Sequence, residues 1–324
     1  MSFIATETSE KRDFSGYTLI LPTVSIGNVA QLSVDLILSS YPGVRRVGMY
    51  YDPENVEPYA APDPLAIKTK DVKGVLGFGI EIYEDPTRKL VIWQQRVPAI
   101  VGRLQAFTEG VVKFIVNQHF DRVILLTSDF NYDRTDEQLM RHQTFAYFAT
   151  SNLVDKLKSE LEGKLGWDYA KPHENAYAGS RYEQGAENVP RRGYGDIDDV
   201  TEELPTFKAD EKKEAKQDRT SSSSSVTTKR EDEKKFIAVG HGGAASIAKI
   251  CEDKGIPLVG LVALTTEGDN TDDAIQLADK LQRLLETFPH VPDLATHLNG
   301  IKWNRPLAWK YVYGGDTTSE GIYT

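Results

Sequence analysis

The residues whose types and spacing most suggest a ligand-binding site form a glycine-rich turn at 240–245, with the sequence Gly-His-Gly-Gly-Ala-Ala. Gly240, Gly242 and Ala245 satisfy the pattern G-x-G-x-x-[GA] between a strand-like run, FIAV, and a segment with helical spacing, where backbone N–H groups can bind a pyrophosphate. The pattern comes late in the chain, however, and the acidic residue expected about 20 positions later would be Glu267, which is too distant. We therefore favour the alternative, in which the glycines allow a helix to pack closely on a sheet.

Other reactive side chains are scattered along the sequence. His241 and Cys251 could form a base and a nucleophile, but Cys251 falls on the apolar face of its predicted helix, which is typical of a buried and inert thiol. Ser25, Ser128 and Asp129 follow predicted strands, at the edge where open α/β sheets bind ligands. A serine or aspartate in such a loop is more often a cap or turn former. The sequence therefore predicts no catalytic residue.

The remaining composition excludes several classes of function. The motifs G-x-x-x-x-G-K-[ST], G-x-S-x-G, H-E-x-x-H and C-x-x-C are all missing, and six scattered histidines with one cysteine predict no metal site. A formal charge of -10 repels phosphate backbones and anionic lipid, so we expect neither a nucleic-acid nor a membrane partner. The single cysteine and an N-terminus without an apolar signal region predict a protein of the cytoplasm and nucleus. The missing motifs predict that it uses no cofactor.

The surrounding pattern predicts an α/β fold. The apolar run at 17–21 is typical of a buried strand, and Asn28 is the expected N-cap of the helix that follows it. A strand at 44–51 comes next, which is how a parallel α/β sheet usually begins. Runs at 79–83 and 89–94, separated by EDPTR, predict an antiparallel hairpin. The further predicted elements are a helix at 102–118, a strand at 121–127, a helix through 153–161, and a strand, helix, strand and helix between 236 and 288.

We therefore expect a single three-layer domain with a mostly parallel sheet, interrupted by a disordered insertion. The first part of the core covers 14–166, and a low-complexity insertion covers 167–235, because 18 of the 35 residues at 201–235 are charged and too few are apolar to offset the cost of ordering. The second part of the core and a C-terminal extension cover 236–313. Residues 314–324 are expected to form a flexible tail for docking.

The last three residues, Ile322, Tyr323 and Thr324, form a hydrophobic-Tyr-any terminus behind a glycine-containing stem. A free carboxylate can be bound by a lysine or by backbone N–H groups, while the tyrosine ring fills an adjacent pocket. The terminus therefore predicts a peptide that docks into another protein.

Three segments resemble the PAC2 family of proteasome assembly chaperones, in a fungal-type form with a long insertion. They are FSGYTLILPTVSIGNVAQLSVDLIL, DRVILLTSDFNYDRTDEQL and LVALTTEGDNTDDAIQLADKL, and the resemblance covers most of 14–165 and 236–288. Its most specific parts are PTVSIGN and EGDN. The resemblance implies a phosphorylase-like core that has lost the enzyme's chemistry, and a glycine-rich turn at 240–243 that is not tied to nucleotide binding.

The resemblance also implies a partner and a binding site. The chain would form a heterodimer with proteasome assembly chaperone 1 and bind the outer face of the α-ring of the 20S proteasome. Ile322, Tyr323 and Thr324 match the family's tail motif, which would enter a pocket between α-subunits. The insertion and the region 289–313 depart from the compact family pattern. The alternative is a nucleoside phosphorylase-like or dinucleotide-dependent enzyme that uses the turn at 240–245.

Overall fold

A mixed β-sheet of eight strands runs through the part of the chain that the computed structural model describes, which comprises residues 2–5, 13–63, 76–131, 139–140, 144–170, 239–288, 302–306 and 309. The four central strands are parallel neighbours, and the strands on either side of them pair antiparallel. In spatial order the strands, numbered along the chain, are β1 (Ser2–Ala5), β3 (Arg45–Tyr51), β6 (Ile80–Asp85), β7 (Leu90–Gln95), β2 (Thr18–Pro22), β8 (Arg122–Phe130), β10 (Leu258–Thr265) and β9 (Phe145–Ala149). A separate two-stranded sheet pairs β4 (Ala60–Pro62) with β5 (Leu76–Phe78).

Helices cover both faces of the central strands. Two apolar clusters separate the layers: one joins α1, α3 and α5 to one face of the sheet, and the other joins α2 and α4 to the opposite face. Strands buried on both faces must be apolar throughout, as in β10 with its sequence LVGLVALT. The predicted three-layer α/β fold is therefore confirmed. The helices are α1 (Val29–Ser40), α2 (Leu104–Asn117), α3 (Ser151–Lys158, continued by a π-helical turn at Ser159–Lys164), α4 (Ala244–Asp253) and α5 (Thr271–Glu286).

The strand pairing corrects one prediction and extends others. The predicted hairpin is present as β6 and β7, but β3 does not continue a parallel sheet after β2: it pairs antiparallel with β6 and β1 at the sheet edge. β9 and β1 were not predicted. The first helix begins after Asn28 as expected, although Asn28 makes no capping hydrogen bond and instead takes a left-handed φ of 54°. The predicted strand at 236–239 lies outside the described residues except for Val239.

The ordered core extends past the predicted start of the insertion. Trp167 is buried against Phe145, with ring centroids 5.1 Å apart, and Ala170 donates its backbone N–H to the Tyr147 carbonyl at 2.7 Å. These four residues, 167–170, therefore belong to the core, because they add aromatic surface and backbone pairing to the edge at β9. Residues 171–238, which hold the rest of the predicted insertion, lie outside the described residues.

The tail predicted at 314–324 also lies outside the described residues. None of the helices described is both long and apolar enough to cross a membrane.

Candidate functional site

A cleft of about 560 Å³ opens at the carboxyl edge of the sheet, where β2, β8 and β10 end. Open α/β sheets usually bind ligands at this edge, and Ser25, Asp129 and the glycine-rich turn lie here. The cleft is formed by the loop after β2, the end of β8, the glycine-rich turn and the loop after β10. Its lining residues are Val24, Ser25, Ile26, Gly27, Asn28, Phe130, His241, Gly242, Glu267 and Gly268.

Two serines fasten the loop after β2 onto β8. The Ser128 backbone N–H donates to Ser25 Oγ at 3.0 Å, and the two hydroxyl oxygens lie 2.8 Å apart. The Ser128 hydroxyl also donates to the Ile26 carbonyl at 2.6 Å. Both hydroxyls are thus engaged in contacts that close the loop, as expected for turn formers rather than nucleophiles.

The glycine-rich turn packs against the same loop. Gly242 has a φ of +66°, and a Cβ atom built there would lie 2.1 Å from the Val24 carbonyl oxygen. In a dinucleotide-binding turn, the second glycine leaves room for the pyrophosphate. Here that glycine is Gly242, and the protein's own backbone takes the room. The geometry supports the packing interpretation of the motif.

The turn is also hydrogen-bonded to the strands beneath it. The His241 carbonyl accepts from the hydroxyl groups of Thr23 at 3.0 Å and Thr127 at 3.2 Å, while its N–H donates to the Ser128 carbonyl at 3.2 Å. Gly240, with a φ of +106°, leaves no space for a Cβ because Thr127 Cγ2 would lie 2.4 Å away. The backbone of the turn is therefore held by the loop after β2 and by β8.

A histidine–aspartate pair borders the cleft. His241 Nδ1 lies 3.0 Å from Asp129 Oδ1, and the Phe130 ring meets the imidazole edge-to-face with centroids 5.2 Å apart. The histidine side chain is 19% exposed and the aspartate side chain 7%. An aspartate that orients a histidine is one part of an acid–base site, but the serines beside this pair are the loop-closing residues described above.

The loop after β10 closes the other side of the cleft. Asn270 is buried and donates to the Gly268 carbonyl at 3.0 Å, and a Cβ at Gly27 would lie 2.2 Å from Asn270 Nδ2. The PTVSIGN and EGDN segments, which carry the resemblance most specifically, therefore lie face to face. Both segments could be named from the sequence, but the sequence does not show that Asn270 fills the space left by Gly27.

Cys251 takes no part in this cleft. It lies eight residues beyond Gly243 on α4, or about 12 Å along the helix axis, and its side chain is fully buried. Burial raises the pKa of the thiol to about 12, so the reactive thiolate is disfavoured. The predicted inert thiol is consistent with this environment, and the structure separates Cys251 from the turn that carries His241.

Within the described ranges, no group of three or more His, Cys, Asp or Glu side chains could hold a metal ion. The predicted docking residues Ile322, Tyr323 and Thr324 lie outside the described residues, so their role stays a prediction.

Relatives of known description match almost the whole chain. Proteasome assembly chaperone 2 from Nematostella vectensis is 30% identical over 274 residues, covering 85% of this chain and 91% of that protein. Proteasome assembly chaperone 2 from Danio rerio is 26% identical over 301 residues, covering 93% of each. Among solved structures, PbaA from Pyrococcus furiosus, an archaeal homolog of proteasome-assembly chaperone, has a TM-score of 0.49 at 12% identity and covers 91% of this chain and 85% of that chain.

A family model gives the assignment directly. The model of the PAC2 family matches residues 19–291, which include most of both parts of the α/β core and all the loops that form the cleft. This chain therefore belongs to the PAC2 family.

Proposed function

We propose that this chain is a proteasome assembly chaperone that promotes assembly of the 20S α-ring without catalysis. The observation that carries the proposal is the extent of the match: relatives described as proteasome assembly chaperone 2 align over 93% of this chain and 93% of their own length. A match of this extent includes most of the core and the loops of the cleft. The proposed site of action is the cytoplasm and nucleus.

The proposed mechanism uses a folded body and a docking tail. The body binds proteasome assembly chaperone 1 to form a heterodimer, and the heterodimer sits on the outer face of the α-ring. The tail, 314–324, then places Ile322, Tyr323 and Thr324 in a pocket between α-subunits. Eleven extended residues reach about 35 Å, and tethering makes the docking step intramolecular, so a weak peptide contact can contribute well beyond its own affinity.

The geometry of the cleft supports a binding role over an enzymatic one. The groups that sequence reasoning singled out for chemistry are engaged in internal contacts: the Ser25 and Ser128 hydroxyls close a loop, and the space at Gly242 is filled by Val24. A catalytic site needs groups that are free to meet a substrate.

The test is removal of the tail motif in the co-expressed heterodimer. Deletion of Ile322, Tyr323 and Thr324, or Tyr323→Ala, should weaken binding to α-rings assembled from recombinant subunits by at least about tenfold, because a buried tyrosine is a typical hot spot. Thr317→Ala in the same tail is the matched control and should bind as the unmodified protein does. Co-purification with proteasome assembly chaperone 1 should be unchanged. Unchanged α-ring binding after the deletion would show that the tail has no role.

The enzymatic alternative has its own test. Thermal-shift measurements with nucleosides, NAD and NADP should give no stabilisation, because Val24 fills the space that a pyrophosphate would need at Gly242. A ligand that did bind the native state would stabilise it by about 2.7 kcal/mol at 100 times its Kd. A clear stabilisation by one of these compounds, lost in Gly242→Val, would favour the phosphorylase-like or dinucleotide-dependent enzyme instead.

A further inference from the structure

The described part of the C-terminal region is fixed to the body of the protein. Trp303 stacks on Tyr41 at the end of α1, with ring centroids 6.2 Å apart and planes at 20°. The Trp303 indole N–H also donates to Asp279 Oδ1 on α5 at 2.7 Å. One side chain therefore joins the segment to two helices at once.

The residues after Trp303 strengthen this attachment. The Asn304 backbone N–H donates to Ser40 Oγ at 2.9 Å, its carbonyl accepts from the Ser39 hydroxyl, and its side-chain amide donates to the Ser39 carbonyl at 3.4 Å. Pro306 is buried, and Trp309 is 6% exposed within the apolar cluster beneath α1 and α5. We call Trp303, Asn304, Pro306 and Trp309 the C-terminal anchor.

The anchor sets the point on the body of the protein from which the last 15 residues, 310–324, start. Fifteen residues, 310–324, follow Trp309, whereas 36 residues follow Phe288 near the end of α5. At about 3.3 Å per residue these lengths limit the reach of the final residue to about 50 Å from the anchor, or about 120 Å from α5 without it. The anchor thus shortens the possible tether by more than half.

We infer that the C-terminal anchor positions the docking tail by fixing its origin on the α1–α5 surface. The inference rests on the proposed function, because it assigns the anchor a role only if the tail binds the α-ring. For a flexible tether longer than the distance it must span, the effective concentration of its end falls as about the −3/2 power of its length. Lengthening the tether from 15 to 36 residues therefore lowers the effective concentration about fourfold.

Two variants of the full chain, each co-purified with proteasome assembly chaperone 1, test the inference. Trp303→Ala removes the stacking on Tyr41 and the hydrogen bond to Asp279. An insertion of 21 Gly and Ser residues between 309 and 310 keeps the anchor but gives the tail the longer tether. Gln276→Ala, at an exposed position of α5, is the matched control. Each is made with and without residues 322–324, and Kd is measured by biolayer interferometry on recombinant α-rings.

With the tail motif present, the insertion variant should bind about fourfold more weakly, and Trp303→Ala, which leaves Trp309 in place, should lose affinity by a smaller factor. Without the motif, each variant should bind as the tail-deleted protein does. Unchanged affinity of the insertion variant, or a loss in Trp303→Ala that persists without the motif, would overturn the inference and leave the proposed function standing. Unchanged affinity after deletion of residues 322–324 would overturn the docking-tail part of the proposed function, and the inference with it. If Trp303→Ala does not fold, the insertion variant decides the result alone.

Discussion

Replacement of Gly242 by alanine would place a methyl group against the loop that follows β2. The new Cβ would lie 2.1 Å from the Val24 carbonyl oxygen and 2.8 Å from its carbonyl carbon. The distance to the oxygen is more than 1 Å shorter than a favourable contact. The obstacle is backbone, which cannot rotate away as a side chain can. Either the turn or the loop must therefore move, and that loop is held by the serine contacts on β8.

Gly255 provides a control with the same backbone conformation. Its φ is +66°, identical to that of Gly242, but a Cβ there would meet nothing within 4 Å. Gly255→Ala should cost only the penalty of a left-handed alanine, about 1–2 kcal/mol. Gly242→Ala adds the cost of displacing packed backbone, about 1–3 kcal/mol, so it should cost about 2–5 kcal/mol in total.

Urea unfolding at 25 °C, monitored by tryptophan fluorescence, gives the free energy of unfolding of both variants from the midpoint and slope. The difference between the two variants isolates the close approach from the conformational penalty. Equal destabilisation of Gly242→Ala and Gly255→Ala would refute the reasoning, because it would mean that Val24 does not fill the space at the turn. The left-handed backbone conformation alone would then account for the glycine at this position.

Three further predictions concern other contacts. Cys251 should react with a thiol reagent at pH 8 only after unfolding, because burial raises its pKa to about 12, and rapid labelling of the native protein would contradict this. Burial raises the pKa of Glu81 in the native state despite the hydrogen bond from Arg46. As pH rises above about 4.3, this carboxyl group therefore loses its proton more readily in the unfolded chain than in the native protein, and the native state loses stability. Glu81→Gln should therefore gain in free energy of unfolding relative to the unmodified protein as pH rises above about 4.3, and parallel pH curves would be the contrary result. Gly27→Ala should destabilise the protein less in an Asn270→Ala background, since the clash is with that side chain; a double-mutant cycle with no coupling would exclude the contact.

Elements with a clear apolar period could be predicted from the sequence, and partners across the sheet could not. The run at 17–21 and the helix stripe of α5 are signals contained in a short window. Whether β3 joins β2 or β6 depends on residues far along the chain, and its sequence fits either arrangement. β9 was missed because five residues between a polar segment and a helix carry no period long enough to separate a strand from a loop.

At the candidate site too, the sequence predicts a local feature but not the distant residues that contact it. A glycine is required wherever another atom must come close to the backbone, whether that atom belongs to a phosphate or to the protein itself. The pattern at 240–245 could therefore predict a close approach but not what approaches. Only the fold brings Val24 to Gly242 and Asn270 to Gly27, because both pairs come from segments more than 200 residues apart in the sequence.

The proposed tail and anchor constrain each other quantitatively. If the tail acts only as a tethered peptide, the loss of affinity on its deletion equals the effective concentration of the tail divided by the Kd of the free peptide. Short flexible tethers give effective concentrations in the mM range, so a tenfold loss requires a free-peptide Kd of about 100 μM. A much larger loss for the same peptide Kd would require the tail to contribute to the fold or to the heterodimer as well. A much smaller loss would mean that an origin at Trp309 lies too far from the pocket for 15 residues to reach it.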